Sequence, residues 1–269
     1  MDFKTKEQIS KLIYDADAIA VFAGAGMSVD SGLEAFRGND GLWNKKLMLG
    51  EKEVNYYDLM SHSAFVETPN EAWGLIAYLM EKYTETTPHD GYFKLLELLK
   101  NKEYFVVTSN VDEHFLKTGF DEMKIFECHG SIFNMQCLDV SEKEIWLTPK
   151  ISFDKEKMLA LNPLPKCPVC NSNCRPNSYL FGDWFWVSTR SQHQQTRFNN
   201  WAKSVKKKYS NVLAIEIGAG KTINTIRKAS ENFAGDKFTL IRCNPNDFEV
   251  SKPNHIGVSV GAEEFFGMI

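Results

Sequence analysis

Residues 18–26, AIAVFAGAG, are the stretch from which the fold can be predicted. The first six form a short apolar run, which is typical of a strand buried on both faces of a sheet. The run stops at Gly24-Ala25-Gly26, and glycines at such a turn let backbone N–H groups approach a phosphate closely. The third glycine of the usual dinucleotide fingerprint is missing, so the turn alone predicts either a phosphate-binding loop or a plain tight turn.

Further apolar runs of the same kind follow along the chain, and stretches with helical periodicity separate them. One helical stretch precedes the first run, where Ile9, Leu12 and Ile13 share a face. Another carries Leu95 and Leu99, and the preceding Thr87-Pro88 predicts a capped start. Strands that alternate with helices predict an α/β fold with a Rossmann-like parallel sheet covered on both faces. The runs are residues 105–108, 124–128, 212–217 and 238–243.

Two segments interrupt this alternation. Residues 43–86 carry helical signals but no obvious strand, and residues 135–177 hold four of the six Cys. We interpret both as insertions that together form a smaller helical and zinc-binding domain. The Rossmann-like domain is then discontinuous. Its expected segments are residues 1–42, 87–134 and 178–269.

Composition narrows the class of protein. With 269 residues, 43% apolar and 25% charged, the chain reads as globular. A net charge of −4 argues against a dedicated nucleic-acid binder. No apolar run approaches the ~20 residues of a membrane span, and the first residues lack the layout of a signal peptide. We therefore expect a cytoplasmic protein without nucleic-acid or membrane partners.

A second glycine turn, Gly218-Ala219-Gly220, is followed by Lys221-Thr222 and so ends like a P-loop. That motif needs a glycine five residues before Gly220, and Ile215 occupies the position. The turn does not predict a nucleoside triphosphatase. A turn of small residues after a strand is still compatible with a dinucleotide site, which this turn would contact from the opposite edge of the sheet.

Several motifs, in order along the chain, resemble those of the sirtuins, the NAD-dependent protein deacylases. Residues 24–38, GAGMSVDSGLEAFRG, are similar to the family's GAGxSxxSGIPDFRG, and residues 108–112, TSNVD, to TQNxD. His129-Gly130 looks like the family's HG pair. The resemblance covers nearly the whole chain. It continues through residues 167–170 (CPVC), 175–183 (RPNSYLFGD) and Cys243-Asn244.

This resemblance implies an enzyme that transfers the ADP-ribosyl group of NAD to the acyl oxygen of an acyl-lysine protein or peptide. Nicotinamide and O-acyl-ADP-ribose would be the products, and NAD and acyl-lysine would meet in the cleft between a Rossmann-type domain and a smaller zinc-bearing one. His129 is then the base for a ribose hydroxyl, because an imidazole with a pKa near ~6.5 exchanges protons at neutral pH. A buried His at a strand end is the alternative.

The same resemblance implies a set of NAD-binding residues. Asn110 and Asp112 would hold the nicotinamide carboxamide, which needs both a donor and an acceptor. Ordinary turn chemistry after a strand is the alternative for this pair. Phe36 and Arg37 would lie over the nicotinamide end, and Asn244 would reach the ribose on the adenine side. The other expected contacts are Gly24, Ala25, Gly26, Ser28, Ser109, Gly218, Ala219 and Gly220.

Three departures from the family pattern leave other activities open. Glu34-Ala35 stands where the family has Pro-Asp, and Ser109 replaces a Gln that reaches the ribose. The turn Gly218-Ala219-Gly220 replaces Gly-Thr-Ser and so lacks two hydroxyls. A sirtuin-like protein ADP-ribosyltransferase or an NAD glycohydrolase is therefore the second hypothesis. A non-catalytic sensor of NAD or ADP-ribose is the third, and His129 argues against it.

The clustered cysteines predict a structural zinc site, because zinc prefers four tetrahedral ligands and two Cys two residues apart supply two of them. Cys167 and Cys170 have this spacing, and Cys137 stands where the family's first pair begins. Val140 occupies the place of its partner, so Cys174 is expected to complete the set, with Asp139 as another candidate. A degraded site with ordinary thiols is the alternative.

The substrate side is expected near Phe181-Gly182-Asp183, which resembles the family segment that pairs with a substrate peptide. The aromatic run Trp184-Phe185-Trp186 predicts either the wall of an acyl-lysine tunnel or core packing. Family members that remove acidic acyl groups carry a Tyr and an Arg three residues apart. Ile76 and Leu79 occupy those places here, which predicts a neutral acyl group, with acetyl as the default.

Overall fold

The computed structural model describes residues 2–34, 46–49 and 52–269. The apolar runs of the sequence form strands. In chain order the strands are β1 (Ala18–Ala23), β2 (Lys46–Leu49), β3 (Lys52–Asn55), β4 (Glu103–Thr108), β5 (Ile125–Glu127), β6 (Gly130–Cys137), β7 (Ile145–Leu147), β8 (Phe153–Asp154), β9 (Leu159–Ala160), β10 (Cys174–Ser178), β11 (Val212–Ile217), β12 (Thr239–Cys243) and β13 (Ile256–Val258).

The helices of the described residues range from single turns to twenty residues, and a 3-10 turn covers Glu122–Lys124. In chain order they are α1 (Phe3–Asp15), α2 (Gly26–Val29), α3 (Tyr56–Leu59), α4 (His62–Glu67), α5 (Pro69–Glu85), α6 (Asp90–Leu99), α7 (His114–Thr118), α8 (Thr189–Lys208), α9 (Thr225–Ala234) and α10 (Ala262–Met268).

The chain divides into two compact units. The first comprises Met1–Leu33, Thr87–Cys128 and His193–Ile269, and the second comprises Glu34–Thr86 and His129–Gln192. The domain boundaries expected from sequence stay a prediction.

A six-stranded sheet forms the centre of the first unit, in the order β13-β12-β11-β1-β4-β5. All five strand pairs are parallel, so the sheet is the Rossmann-like one that the alternating pattern predicts. Every residue of β1 is buried because side chains on alternate faces enter two different cores. Ile19, Val21 and Ala23 lie in one core, and Ala18, Ala20 and Phe22 in the other.

The second unit contains a three-stranded antiparallel sheet in the order β10-β6-β7. Trp73 of α5 is buried and donates its indole N–H to the carbonyl of Cys174 in β10, at 3.0 Å. One turn of α5 lies directly against the backbone near β9. A Cβ on Gly74 would lie 2.2 Å from the carbonyl oxygen of Met158, so only glycine fits there.

Two local predictions are wrong. Helix α6 begins at Asp90, and His89 caps it by accepting the N–H of Gly91 through its ring; Thr87 is not the cap. Residues 43–86 also contain strands, since β2 and β3 pair as an antiparallel hairpin. In β2 the apolar Met48 is exposed between Leu47 and Leu49, so the strand lacks the alternation of apolar and polar residues that predicts a half-buried strand.

Candidate active site

Ser28 is the centre of a buried hydrogen-bond network in the first unit. Its hydroxyl donates to Oδ2 of Asp112 at 2.6 Å. It therefore accepts from the hydroxyl of Tyr92 at 2.8 Å and from Nδ2 of Asn110 at 3.2 Å. The network joins α2, α6 and the turn after β4. It holds Asn110 and Asp112 in fixed orientations, and Ser28 itself is almost fully buried.

The turn after β4 orients both side chains by short-range hydrogen bonds. Thr108 accepts the N–H of Asn110 at 3.0 Å, and Oδ1 of Asp112 accepts the N–H of His114 at 3.0 Å. Oδ1 of Asn110 is buried and has no hydrogen-bond partner among the described residues. An unpartnered buried acceptor is costly, which favours a polar ligand at this point.

The two glycine turns of the first unit pack against each other. The N–H of Gly26 donates to the carbonyl of Gly218 at 3.0 Å, and Gly218 adopts a φ of 61°. A Cβ on Gly24 would lie 2.6 Å from the Gly218 oxygen. These glycines are therefore required by backbone contact between the turns. Their contacts with a dinucleotide, and those of Ala25, Ala219, Gly220 and Ser109, stay predictions.

Asn244 follows β12 and braces the second glycine turn. Its Nδ2 donates to the carbonyl of Ala219 at 3.2 Å, and its Oδ1 accepts the N–H groups of Asn246 and Asp247 at 3.0 and 2.9 Å. The side chain therefore already has structural partners. A contact with the adenine-side ribose stays a prediction.

A cluster of buried charged side chains, which was not predicted from the sequence, supports the second glycine turn. Glu216 in β11 lies opposite Arg242 in β12, and the pair is joined by hydrogen bonds of 2.6 and 2.9 Å. Arg227 of α9 lies 3.8 Å from the same carboxylate and donates to the carbonyls of Ala219 and Asp247. The signal for this cluster was one acidic and one basic residue in otherwise apolar strands.

His129, the predicted base, precedes β6 in the second unit and is half-buried. Its carbonyl accepts the N–H of Tyr179 at 2.8 Å, and the two rings are 6.2 Å apart. The next residue, Gly130, has a φ of 71°. The left-handed backbone gives the glycine of the HG pair a steric reason in this chain. Phe36 and Arg37, the predicted cover of the nicotinamide, lie outside the described residues.

Three of the four predicted zinc ligands come together in the second unit. The Sγ atoms of Cys137, Cys167 and Cys170 all lie within 4.8 Å of one another. The first is at the end of β6, and the turn that holds the other two is closed by a hydrogen bond from Asn171 to Cys167. Cys174 lies opposite Cys137 in the register but is not part of this group of three. The fourth ligand stays a prediction.

The segment after β10 is held by a buried ion pair. Arg175 contacts Asp183, and both side chains are fully buried. The carboxylate also accepts the N–H groups of Leu180 and Phe185, at 3.2 and 3.0 Å. This arrangement leaves Trp184 92% exposed, so core packing is wrong for that side chain.

Comparisons with known proteins test the resemblance directly. A family model described as the Sir2 family matches residues 24–205, which is more than half of the chain. The chain belongs to the Sir2 family. The match includes the first glycine turn, the turn after β4, His129 and the cysteine cluster. Sir2 membership confirms the family that the sequence motifs suggested.

Curated relatives of this chain are named NAD-dependent protein deacylase. The one from Pyrococcus furiosus is 32% identical over 177 residues, which are 65% of this chain and 65% of the relative's length. One from Thermus thermophilus is 22% identical over 268 residues, or 98% and 93% of the two chains. The match to the Pyrococcus furiosus relative, which has the higher identity of the two, thus spans just under two thirds of that protein's length.

Solved Sir2 structures share this fold. A Sir2 homologue mutant in complex with ADP-ribose has a TM-score of 0.73 at 23% identity and covers 100% of this chain and 95% of its own. A Sir2 homologue in complex with NAD has a TM-score of 0.68 at 23% identity, covering 97% and 91%. Both confirm the α/β fold class.

None of the helices in the described part of the chain combines the length and apolar character needed to cross a bilayer.

Proposed function

We propose that this chain is an NAD-dependent protein-lysine deacylase. The observation that carries the proposal is the fixed pair Asn110 and Asp112, in which an unpartnered buried acceptor lies beside a carboxylate. Two acceptors suit the NH2 group of a carboxamide, the polar group of nicotinamide. The names of the Sir2 relatives support the same activity.

Bound NAD would supply the reactive ribosyl carbon and a neutral leaving group, nicotinamide. Asn110 and Asp112 would orient that leaving group, because the Ser28 network keeps both side chains in place. His129 would accept a proton from a ribose hydroxyl at an imidazole nitrogen and return it later. Asn244 and the two glycine turns would hold the adenosine half.

The proposed substrate is an acyl-lysine in a protein or peptide, with a neutral acyl group such as acetyl. Ile76 and Leu79, at the places where relatives with acidic substrates carry Tyr and Arg, are buried apolar side chains of α5. The exposed Trp184 and Phe185 would line the path of the acyl chain.

The proposed domain division is the one expected from the sequence. The Rossmann-like domain comprises residues 1–42, 87–134 and 178–269, and the smaller helical and zinc-binding domain comprises residues 43–86 and 135–177.

The deciding experiment incubates the purified protein with NAD, with and without an acetyl-lysine peptide, and identifies products by mass spectrometry. We expect nicotinamide release that depends on the peptide, together with O-acetyl-ADP-ribose. We expect His129→Ala to abolish turnover while NAD still binds, and exposed His193→Ala to leave turnover unchanged. Release of nicotinamide without the peptide would instead indicate an ADP-ribosyltransferase or NAD glycohydrolase, and no release at all would overturn the proposal.

A further inference from the structure

The ring of His89 connects the start of α6 to the helix that follows the first glycine turn. Its Nδ1 lies 3.0 Å from the backbone nitrogen of Gly91, and its Nε2 lies 2.9 Å from the carbonyl oxygen of Met27 in α2. A backbone N–H only donates and a carbonyl only accepts, so Nδ1 is the acceptor and Nε2 carries the proton. The two backbone groups therefore select one neutral tautomer of the ring.

The surrounding residues hold this ring in one place. A Cβ on Gly91 would lie 2.5 Å from Cε1 of His89 and 3.2 Å from Cα of Glu263, so glycine leaves the space that the ring occupies. The ring of Tyr92 contacts the imidazole, with the two centroids 5.1 Å apart. The backbone N–H of His89 donates to Oγ of Ser31 at 3.0 Å. A ring fixed by these contacts can fix its own partners in turn.

Helix α2 needs such an anchor. It has only four residues, and a single helical turn is unstable without tertiary contacts because starting a helix is costly. The carbonyl of Met27 belongs to the same peptide unit as the N–H of Ser28. Two of the predicted NAD contacts, Gly26 and Ser28, lie on either side of Met27. The hydrogen bond from His89 therefore holds the backbone between two predicted binding residues.

We propose that His89 is a positioning residue for NAD binding. Its Nε2–H group holds the carbonyl of Met27, and α2 is thereby fixed in the orientation in which Gly26 and Ser28 face the dinucleotide. The bond from Gly91 to Nδ1 has a separate role, which is to cap α6. This inference rests on the proposed function, which supplies NAD as the ligand. His89 itself makes no contact with NAD in this proposal and acts through α2.

Two variants of His89 separate the two hydrogen bonds. In His89→Asn the side-chain oxygen can replace Nδ1 as the cap of α6, but the side chain is too short to reach Met27. In His89→Gln the amide nitrogen can replace Nε2 as the donor to Met27, while the cap is lost. The two substitutions thus remove opposite halves of the bridge.

The test measures NAD binding by calorimetry and the urea midpoint of unfolding, both on the full chain. We expect His89→Asn to weaken NAD binding about five- to tenfold, the effect of losing one hydrogen bond, at a midpoint near that of the wild type. His89→Gln should bind NAD almost as tightly as the wild type and unfold at lower urea. A purely structural role would not separate affinity from stability in this way.

His255 offers a matched control in the first unit. It is as buried as His89, at 7% exposed, and its Nδ1 also accepts a backbone N–H, that of Leu240 in β12, at 3.3 Å. His255→Gln removes this bond at a position that the proposal does not connect to α2. We expect a lower urea midpoint and an unchanged dissociation constant for NAD.

The possible results separate this inference from the proposed function. If the wild type binds NAD and His89→Asn binds it equally well, the bond to Met27 does not position the site. Equal weakening by the Asn and Gln variants would also overturn the inference, because the packing of the ring would then matter and not its bond to α2. A wild type that binds no NAD would refute the proposed function and this inference with it. His89→Ser, which can also cap α6 but cannot reach Met27, replaces the Asn variant if that protein does not fold.

Discussion

Gly130 shows how one residue can be fixed by its surroundings. It follows His129 with a φ of 71°, and a Cβ there would lie 2.1 Å from the carbonyl oxygen of Asn177. That contact is between β6 and β10, so neither backbone can move without breaking the sheet. Gly182 has a similar φ of 59°, but nothing lies within 4 Å of its added Cβ.

This difference predicts the stability of two matched variants. Gly182→Ala meets only the left-handed backbone penalty, and we expect a loss of about 1–2 kcal/mol in the free energy of unfolding. Gly130→Ala adds the overlap with Asn177, and we expect a loss of about 3 kcal/mol or more. Denaturant unfolding measures both. Equal losses would show that the overlap is relieved by a small backbone shift.

Pairs of strands bring together side chains that are remote in sequence, and the cysteine cluster depends on one such pair. β6 and β10 place Cys137 opposite Cys174, and the turn between Cys167 and Cys170 lies against Cys137. The Sγ atoms of Cys137 and Cys170 are 3.5 Å apart, which suits two ligands of one tetrahedral ion. Three or four thiols in this arrangement fit zinc.

Metal analysis by mass spectrometry tests the fourth ligand. We expect about one zinc per chain in the purified protein, because a site with three or four thiolates binds zinc tightly. Cys170→Ser should lose the metal, and Cys174→Ser should lose it if Cys174 completes the set. Cys243→Ser, at a buried thiol of the first unit, should keep it. A zinc content unchanged by Cys174→Ser would leave the fourth position to another group, and a metal-free wild type would refute the site.

The pH dependence of the free energy of unfolding is a property of the whole molecule, because buried or half-buried histidines in several elements contribute to it. Burial lowers the pKa of His62, His114 and His255 below the ordinary value. The unfolded chain therefore binds protons near pH ~6.5 that the folded chain binds only at lower pH. By linkage, stability is highest above this range and decreases as the pH falls through it.

Urea unfolding at pH 7.5 and pH 5.5 measures this effect. We expect the wild type to be less stable at the lower pH, because the folded chain resists protonation of these rings. His255→Gln removes one of the buried rings and should reduce the difference between the two pH values. The exposed His193→Gln should leave the difference unchanged. A wild type that is equally stable at both values would contradict the expectation.

Much of the architecture could be predicted from local patterns. The run at residues 18–23 became the buried strand β1, because side chains of alternating residues enter cores on both faces of the sheet. The motifs at residues 24–38 and 108–112 indicated the Sir2 family. Each lies at a turn after a strand, where the backbone and the site require certain residue types at fixed positions. Apolar runs, helical periodicity and turn residues are patterns of residues that are close together in the sequence. One amino-acid sequence is therefore enough to show them.

Contacts between distant residues could not be read in this way. Sequence alone does not show that Ser28 holds Asp112 and Asn110, that Glu216 faces Arg242, or that both ring nitrogens of His114 lack partners among the described residues. The register of strands and the packing of α6 and α7 set these contacts across tens of residues. Strand register and side-chain packing depend on the whole core at once, whereas sequence patterns report only local preference.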